Sequence, residues 1–329
     1  MDSEPPGPAL WPLEHRALGT DVVGLGENSL DHRVGVDKWP MPGEKASCIE
    51  SVSSPGGQVA TALLGCARLG LRTAYLGAVG DDDAAERVLA PLVEASVDLA
   101  GVQRIPGAST RSALILVRNG DGERSVLAQR DPRLGLDLEK LDREAIEAAS
   151  LLHLDASDPD ASLWAAGVAG KAGIPVVLDA DAVGDGVEAL LARVDFPVVS
   201  EGFARAWGGT ESAADGLERL AAGGPRLAVV TCGARGAIAG AGSERLHVPA
   251  PDVDVLDTTG AGDAFHAGLI WALFQGFGAR AALVAANAAA GLSCRALGAQ
   301  DGLPSEVDLA QFLARGPSGE SPRKDADHA

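Results

Sequence analysis

Asp257-Thr258-Thr259-Gly260-Ala261-Gly262-Asp263-Ala264-Phe265-His266-Ala267-Gly268-Leu269 is the stretch on which the reading of this chain turns. It follows an extended run and opens a helix, because Phe265, Leu269, Ala272 and Leu273 recur at helical spacing. The small residues Gly260, Ala261 and Gly262 permit a backbone turn that gathers several amide N–H groups at the helix start. With the helix dipole, such a turn makes an anion hole. Asp263 then stands in the first turn beside that anion, where a carboxylate can accept a proton from an attacking hydroxyl. Charge stabilisation and a base are the two elements of phosphoryl transfer. The plain alternative is an acidic cap on a buried helix behind a tight turn.

Outward from this run, short β-branched stretches alternate with Ala/Leu-rich helical ones. Asp21–Gly26 reads as a first strand, Gln58–Leu69 as a helix, Thr73–Val79 as a strand and Ala84–Ala95 as a helix. Leu151–Leu154, Val176–Asp179, Pro197–Ser200 and Leu227–Thr231 are further apolar runs bounded by turn residues. That alternation predicts a doubly wound α/β domain with a mostly parallel sheet. Two segments break the rhythm. Residues 33–54 lack a helical period, and 109–130 read as strands Ala113–Val117 and Arg124–Ala128 around the turn Asn119-Gly120-Asp121-Gly122. Together they predict a small β-sheet projecting from the core as a lid.

The core domain is expected over 21–314, with unstructured tails at 1–20 (rich in proline) and 315–329. Of 329 residues, 27 are Lys or Arg and 46 Asp or Glu, a net charge of −19. Nucleic acid and anionic membrane surfaces are disfavoured partners for such a chain. No run reaches the ~18 apolar residues of a membrane span. Met1–Leu18 does not resemble a secretory signal, so the expected location is cytoplasmic. Cys48, Cys66, Cys232 and Cys294 are too scattered for a zinc knuckle or a disulfide framework. Gly24-Leu25-Gly26-Glu27 resembles the start of a dinucleotide fingerprint, but no helix-forming run follows. Six histidines without a His-x-x-x-His pair argue against a zinc hydrolase.

A second signature lies about 200 residues upstream: Gly56-Gly57-Gln58-Val59-Ala60-Thr61-Ala62, then Ala67-Arg68-Leu69-Gly70 and Gly77-Ala78-Val79-Gly80-Asp81-Asp82. In this order, the two runs resemble the paired signatures of the ribokinase-like (PfkB) carbohydrate kinases, and the resemblance spans about Val22 to Phe312. It implies an ATP-dependent kinase acting on a hydroxyl of a small sugar, with Mg²⁺ on the nucleotide and, in some members, K⁺. Asp263 would be the base and Gly260, Ala261 and Gly262 the phosphate cradle. Asp31, Gly56, Gly57, Thr61 and Asp155 would meet the sugar. Ser200, Thr231, Gly233, Gly236 and Asn287 would meet ATP. Asp257, with carbonyls of Thr259, Cys294, Leu297 and Ala299, would correspond to the monovalent-cation site. A homodimer through the lid is a further expectation, resting on the exposed edge of the hairpin.

Several positions keep plainer readings: Asp31 and Asp155 as turn residues, and Asn287 as a buried side chain bonded to backbone. Thr61 and Ser29 stand where the family usually carries Asn, and Ser200 and Phe203 replace the members of an Asn-x-x-Glu motif near the metal, with Glu201 a conceivable substitute. Arg111, Arg124, Arg130 and Arg133 on or beside the lid could hold an acidic or phosphorylated sugar, or simply pair with nearby acids. A nucleoside kinase, with Tyr75, Trp39 or Phe203 stacking on a base, and a non-catalytic sugar or nucleotide sensor are the alternatives.

Overall fold

The computed structural model describes residues 13–15, 19–118 and 124–315. In chain order its first elements are β1 Val22–Leu25, β2 Ser29–Val36, β3 Cys48–Gly56, α1 Gln58–Arg68, β4 Thr73–Leu76, β5 Ala78–Val79, α2 Asp83–Glu94, β6 Gln103–Arg104, β7 Ser112–Arg118 and β8 Arg124–Gln129. There follow α3 Arg143–Ala148, β9 Leu151–Asp155, α4 Pro159–Ala172, β10 Val176–Ala180, α5 Val187–Leu191, β11 Phe196–Ser200, α6 Glu201–Gly208, α7 Ala213–Ala222 and β12 Ala228–Thr231. The last are β13 Ala237–Ala241, β14 Glu244–Val248, α8 Ala261–Phe274, α9 Ala279–Ser293 and α10 Glu306–Arg315.

An eight-stranded sheet runs in the order β14-β13-β12-β11-β10-β9-β1-β4. It is parallel from β4 to β12 and antiparallel at β13 and β14. Strands buried on both faces explain the near-continuous apolar runs of the sequence. Alternate residues feed separate cores: Val22, Leu151, Val177 and Val229 pack with α1, α2, α8 and α9, whereas Val23, Leu152, Leu178 and Val230 pack with α4, α6 and α7. Such two-sided burial is the doubly wound arrangement that the alternation predicts.

The lid is a second sheet in the order β3-β2-β7-β8. It starts at Ser29, earlier than the expected residue 33, so Asp31 belongs to the lid rather than to the end of the first strand. The expected strand Thr73–Val79 is divided: β4 joins the main sheet, and β5 pairs with β6 in a separate two-stranded piece. Gly77 marks the break, since a β-carbon there would lie 2.0 Å from the Tyr75 hydroxyl. The strands β13 and β14 have no counterpart in the sequence reading. The hairpin turn 119–122 and most of both expected tails lie outside the described residues. Within the expected N-terminal tail, Leu13 packs on the core and the Glu14 carbonyl accepts from Ser150 Oγ at 2.8 Å. Arg315 is the last residue of α10 rather than the first of a tail.

Candidate active site

The C-terminal ends of β1 and β10, the start of α8 and the base of the lid come together, since Glu27, Asp179, Asp31 and Arg124 all act on Asp263. That is the switch-point position where open α/β sheets place their ligands. Gly260 caps α8 with φ +77, the left-handed conformation that a residue with a side chain rarely adopts. Gly262 has nothing within 4 Å of its β-carbon position, so the turn is open on that side. Asp263 is half-buried at the third position of α8. Burial and the charges of Asp179, Glu27 and Asp31 hold its carboxyl well above the usual range, against the opposing pull of Arg124. A carboxylate with raised proton affinity beside an open helix start can accept a hydroxyl proton while backbone amides hold a phosphoryl group.

The lid reaches this turn through two arginines. Arg124 Nη1 donates to Thr258 Oγ1 at 3.1 Å, and Arg33 Nε stands 3.6 Å from Asp257 Oδ2. Asp257 itself accepts from Thr259 N (2.9 Å), Thr259 Oγ1 (2.7 Å) and Gly298 N (3.0 Å). Burial alone would raise the Asp257 carboxyl, but these donors and Arg33 bring it below its ordinary value. The Cys294 carbonyl accepts from Leu256 N and Asp257 N. A carboxylate so bonded, with a guanidinium beside it, fits a monovalent cation poorly.

On the substrate side the structure rearranges the expected roles. Gly56 and Gly57 are needed for close approach of the chain itself: β-carbons there would lie 2.2 Å from Asp31 Oδ2 and 2.3 Å from Asn28 Cα. Asp31 Oδ1 accepts from Ser29 Oγ at 2.6 Å, and burial raises its carboxyl. Thr61 is fully buried and its hydroxyl accepts from Gln300 Nε2 at 3.2 Å, so it offers no surface to a sugar. Asp155 is likewise wholly buried; its oxygens accept from Glu27 N (2.6 Å) and Ser157 N (2.9 Å), which makes it a brace for the turn after β1.

That turn carries Glu27, which the sequence reading passed over except as part of a false dinucleotide match. Burial and the charges of Asp155, Asp181 and Asp31 push the Glu27 carboxyl up to about 7, although it is paired with Arg111. Its spacing four residues before Asp31 was the available signal. Arg130 and Arg133 are also paired, with Asp158 and Asp131.

Among the residues expected to meet ATP, Gly233 and Gly236 have φ of +58 and +86, and a β-carbon on Gly236 would stand 2.1 Å from the Val248 carbonyl. Thr231 Oγ1 donates to Val199 O at 3.4 Å. Ser200 caps α6 by accepting from Phe203 N at 3.1 Å. Asn287 Nδ2 donates to the carbonyls of Val248 (3.0 Å) and Pro249 (3.2 Å), so its amide holds the exit of β14. Glu201 Oε1 is bound by Arg205 and Arg235 and is not free to replace a lost metal ligand. Among the described residues no group of three or more His, Cys, Asp or Glu side chains could hold a metal ion. No helix among the described residues is long and apolar enough to cross a membrane.

A family model described as pfkB family carbohydrate kinase matches residues 20–306. The chain is 30% identical over 297 residues to the ATP-dependent ribose-1-phosphate kinase of Halopiger xanaduensis, covering 89% of this chain and 98% of that protein. It is 32% identical over 282 residues to a fructokinase of Klebsiella pneumoniae, covering 79% and 92%. A crystal structure of a ribokinase candidate from Agrobacterium tumefaciens superposes with a TM-score of 0.83 at 28% identity, over 90% of this chain and 98% of that one.

Proposed function

This chain belongs to the pfkB family of carbohydrate kinases, and from that premise we propose that it moves the γ-phosphate of ATP to a hydroxyl of a small, uncharged sugar. It is a phosphotransferase with an alcohol acceptor, a sugar or nucleoside kinase of ribokinase type.

The observation that carries the proposal is Asp263 in the first turn of α8, its proton affinity raised, beside the open turn at Gly262. The sugar lies between lid and core, its hydroxyls meeting Asp31 and Glu27. ATP extends along the loop 231–236 toward the start of α8, and its Mg²⁺ supplies charge neutralisation on the phosphates. Asp263 takes the proton of the attacking hydroxyl, and the amides of Gly260 and Gly262 with the Arg124 guanidinium receive the charge that builds on the transferring group, the Ala261 amide being spent on the Thr258 carbonyl at 3.2 Å. Lid contacts at Thr258 and Asp257 exclude water, which would otherwise compete for the phosphoryl group. The side chains around Asp257 support a reaction that needs no separate K⁺.

A neutral sugar is favoured because Arg111, Arg130 and Arg133 are already matched with acids. A nucleobase is disfavoured because Tyr75 and Phe203 are 0% and 1% exposed and have no face to stack on it, and the half-buried Trp39 has the Arg118 guanidinium over its ring, 5.6 Å from the centroid. ADP release measured across pentoses, ketohexoses, sugar acids, sugar phosphates and nucleosides tests the proposal. Turnover with a neutral pentose or hexose is expected. Ligand binding without ADP from any compound would instead mark a sensor.

A further inference from the structure

Asp257 ties three segments of the chain together. Its Oδ1 accepts from the amide and hydroxyl of Thr259, at the entry to the Gly260 turn, and its Oδ2 from the Gly298 amide in the loop after α9. The third segment is the lid. Arg33 of β2 spans two acids: Nη1 donates to Glu50 Oε1 on β3 at 2.6 Å, and Nε stands 3.6 Å from Asp257 Oδ2. The side chains of Arg33 and Asp257 are 11% and 5% exposed, so solvent screens this pair little. Glu50, by contrast, is 44% exposed. Nε of Arg33 is buried and makes no hydrogen bond among the described residues, so the charge of Asp257 is what offsets its loss of water.

Arg33 shares its strand with Asp31. Residues two apart on a strand point to the same face, here the inner face of the lid. Asp31 acts on Asp263 and Arg33 on Asp257. One strand therefore reaches both the place of the attacking hydroxyl and the entry to the turn that holds the phosphate. Asp257 passes the contact on, since the amides it accepts from lie on either side of the junction where Gly260 rests on Ala299.

We propose that Arg33 is a positioning residue, a cation tethered to the lid that fixes Asp257, and through it the phosphate-holding turn, as a bound monovalent cation would. The proposal rests on the reading of Gly260 to Gly262 as the phosphate cradle. The charge travels with the lid, so the turn is braced when β2 is seated over the sugar and slackens when β2 lifts away, which protects the phosphoryl group from water.

Calorimetric titration of the full chain with the magnesium complex of a non-hydrolysable ATP analogue tests this. In Arg33→Ala the affinity is expected to fall at least about fivefold. Methylguanidinium or K⁺ should then restore most of it, whereas tetramethylammonium at the same ionic strength should not. Wild type should bind equally well in all three cations. A side chain that only packs would leave no loss for a small cation to repair. Arg33→Lys and Arg33→Gln keep the stem with and without a charge, and they carry the test even if Arg33→Ala does not fold. Binding near wild type in the first and weakened in the second is expected. Unchanged affinity in Arg33→Ala, a loss that neither small cation recovers, or equal affinities in the lysine and glutamine variants would overturn the proposal. Failure of the cradle reading shows separately, as no binding of the analogue by wild type.

Discussion

A β-carbon on Gly260 would stand 2.4 Å from the carbonyl oxygen of Ala299, so the start of α8 rests directly on the loop that follows α9. Gly260 also holds φ +77, and both facts forbid a side chain there. Gly262, two residues on, meets nothing. Gly260→Ala should therefore lower stability by about 1–3 kcal/mol and lower activity with it. Gly262→Ala should leave the melting temperature within the equivalent of about 0.5 kcal/mol while raising KM for ATP or lowering kcat. Equal destabilisation by both substitutions would show that the turn is not open at Gly262.

Asp263→Asn removes the base and keeps the shape. Turnover is expected to fall ~10²–10⁴-fold, with ATP affinity by thermal shift near wild type. Burial and three neighbouring carboxylates disfavour the ionised form, so the neutral amide should melt no lower than wild type at pH 8. Retention of more than about a tenth of the activity would remove Asp263 from the mechanism.

Glu27→Gln tests the carboxyl pushed up to about 7 from 4.5. The folded state binds this proton more tightly than the unfolded one, so the stability it contributes is complete below about pH 4.5 and is lost as pH rises through 7. Glutamine has no such loss. The stability of the variant relative to wild type should climb between pH 4.5 and 7 and then level off, with a ceiling of about 3 kcal/mol, reduced because Glu27 is 25% exposed and Arg111 loses its partner. A flat difference across that range would show that Glu27 is ionised without penalty.

Exchange of K⁺ for a large organic cation should change kcat/KM by less than about twofold. Asp257 accepts from three donors and has Arg33 Nε at 3.6 Å, an arrangement that already supplies positive charge. Activation of about tenfold or more by K⁺ would overturn this reading of the loop.

Local chemistry is what the sequence determined unaided. Gly-Ala-Gly-Asp before an apolar helix, alternating strands and helices, and a lid built from two irregular segments were legible because turn geometry and periodicity depend on residues close together in the chain. The boundaries at Ser29 and Gly77 were not, since strand pairing with β3 and β6 decides them. Only the tertiary structure decided what each buried polar group binds. It set Thr61 against Gln300, Asp155 against the Glu27 amide and Asn287 against β14, and it brought Glu27 to Arg111 and His153 to His266 and Asp179. A buried donor or acceptor must find a partner, but nothing in its own neighbourhood of sequence says which distant residue the fold will bring within 3 Å.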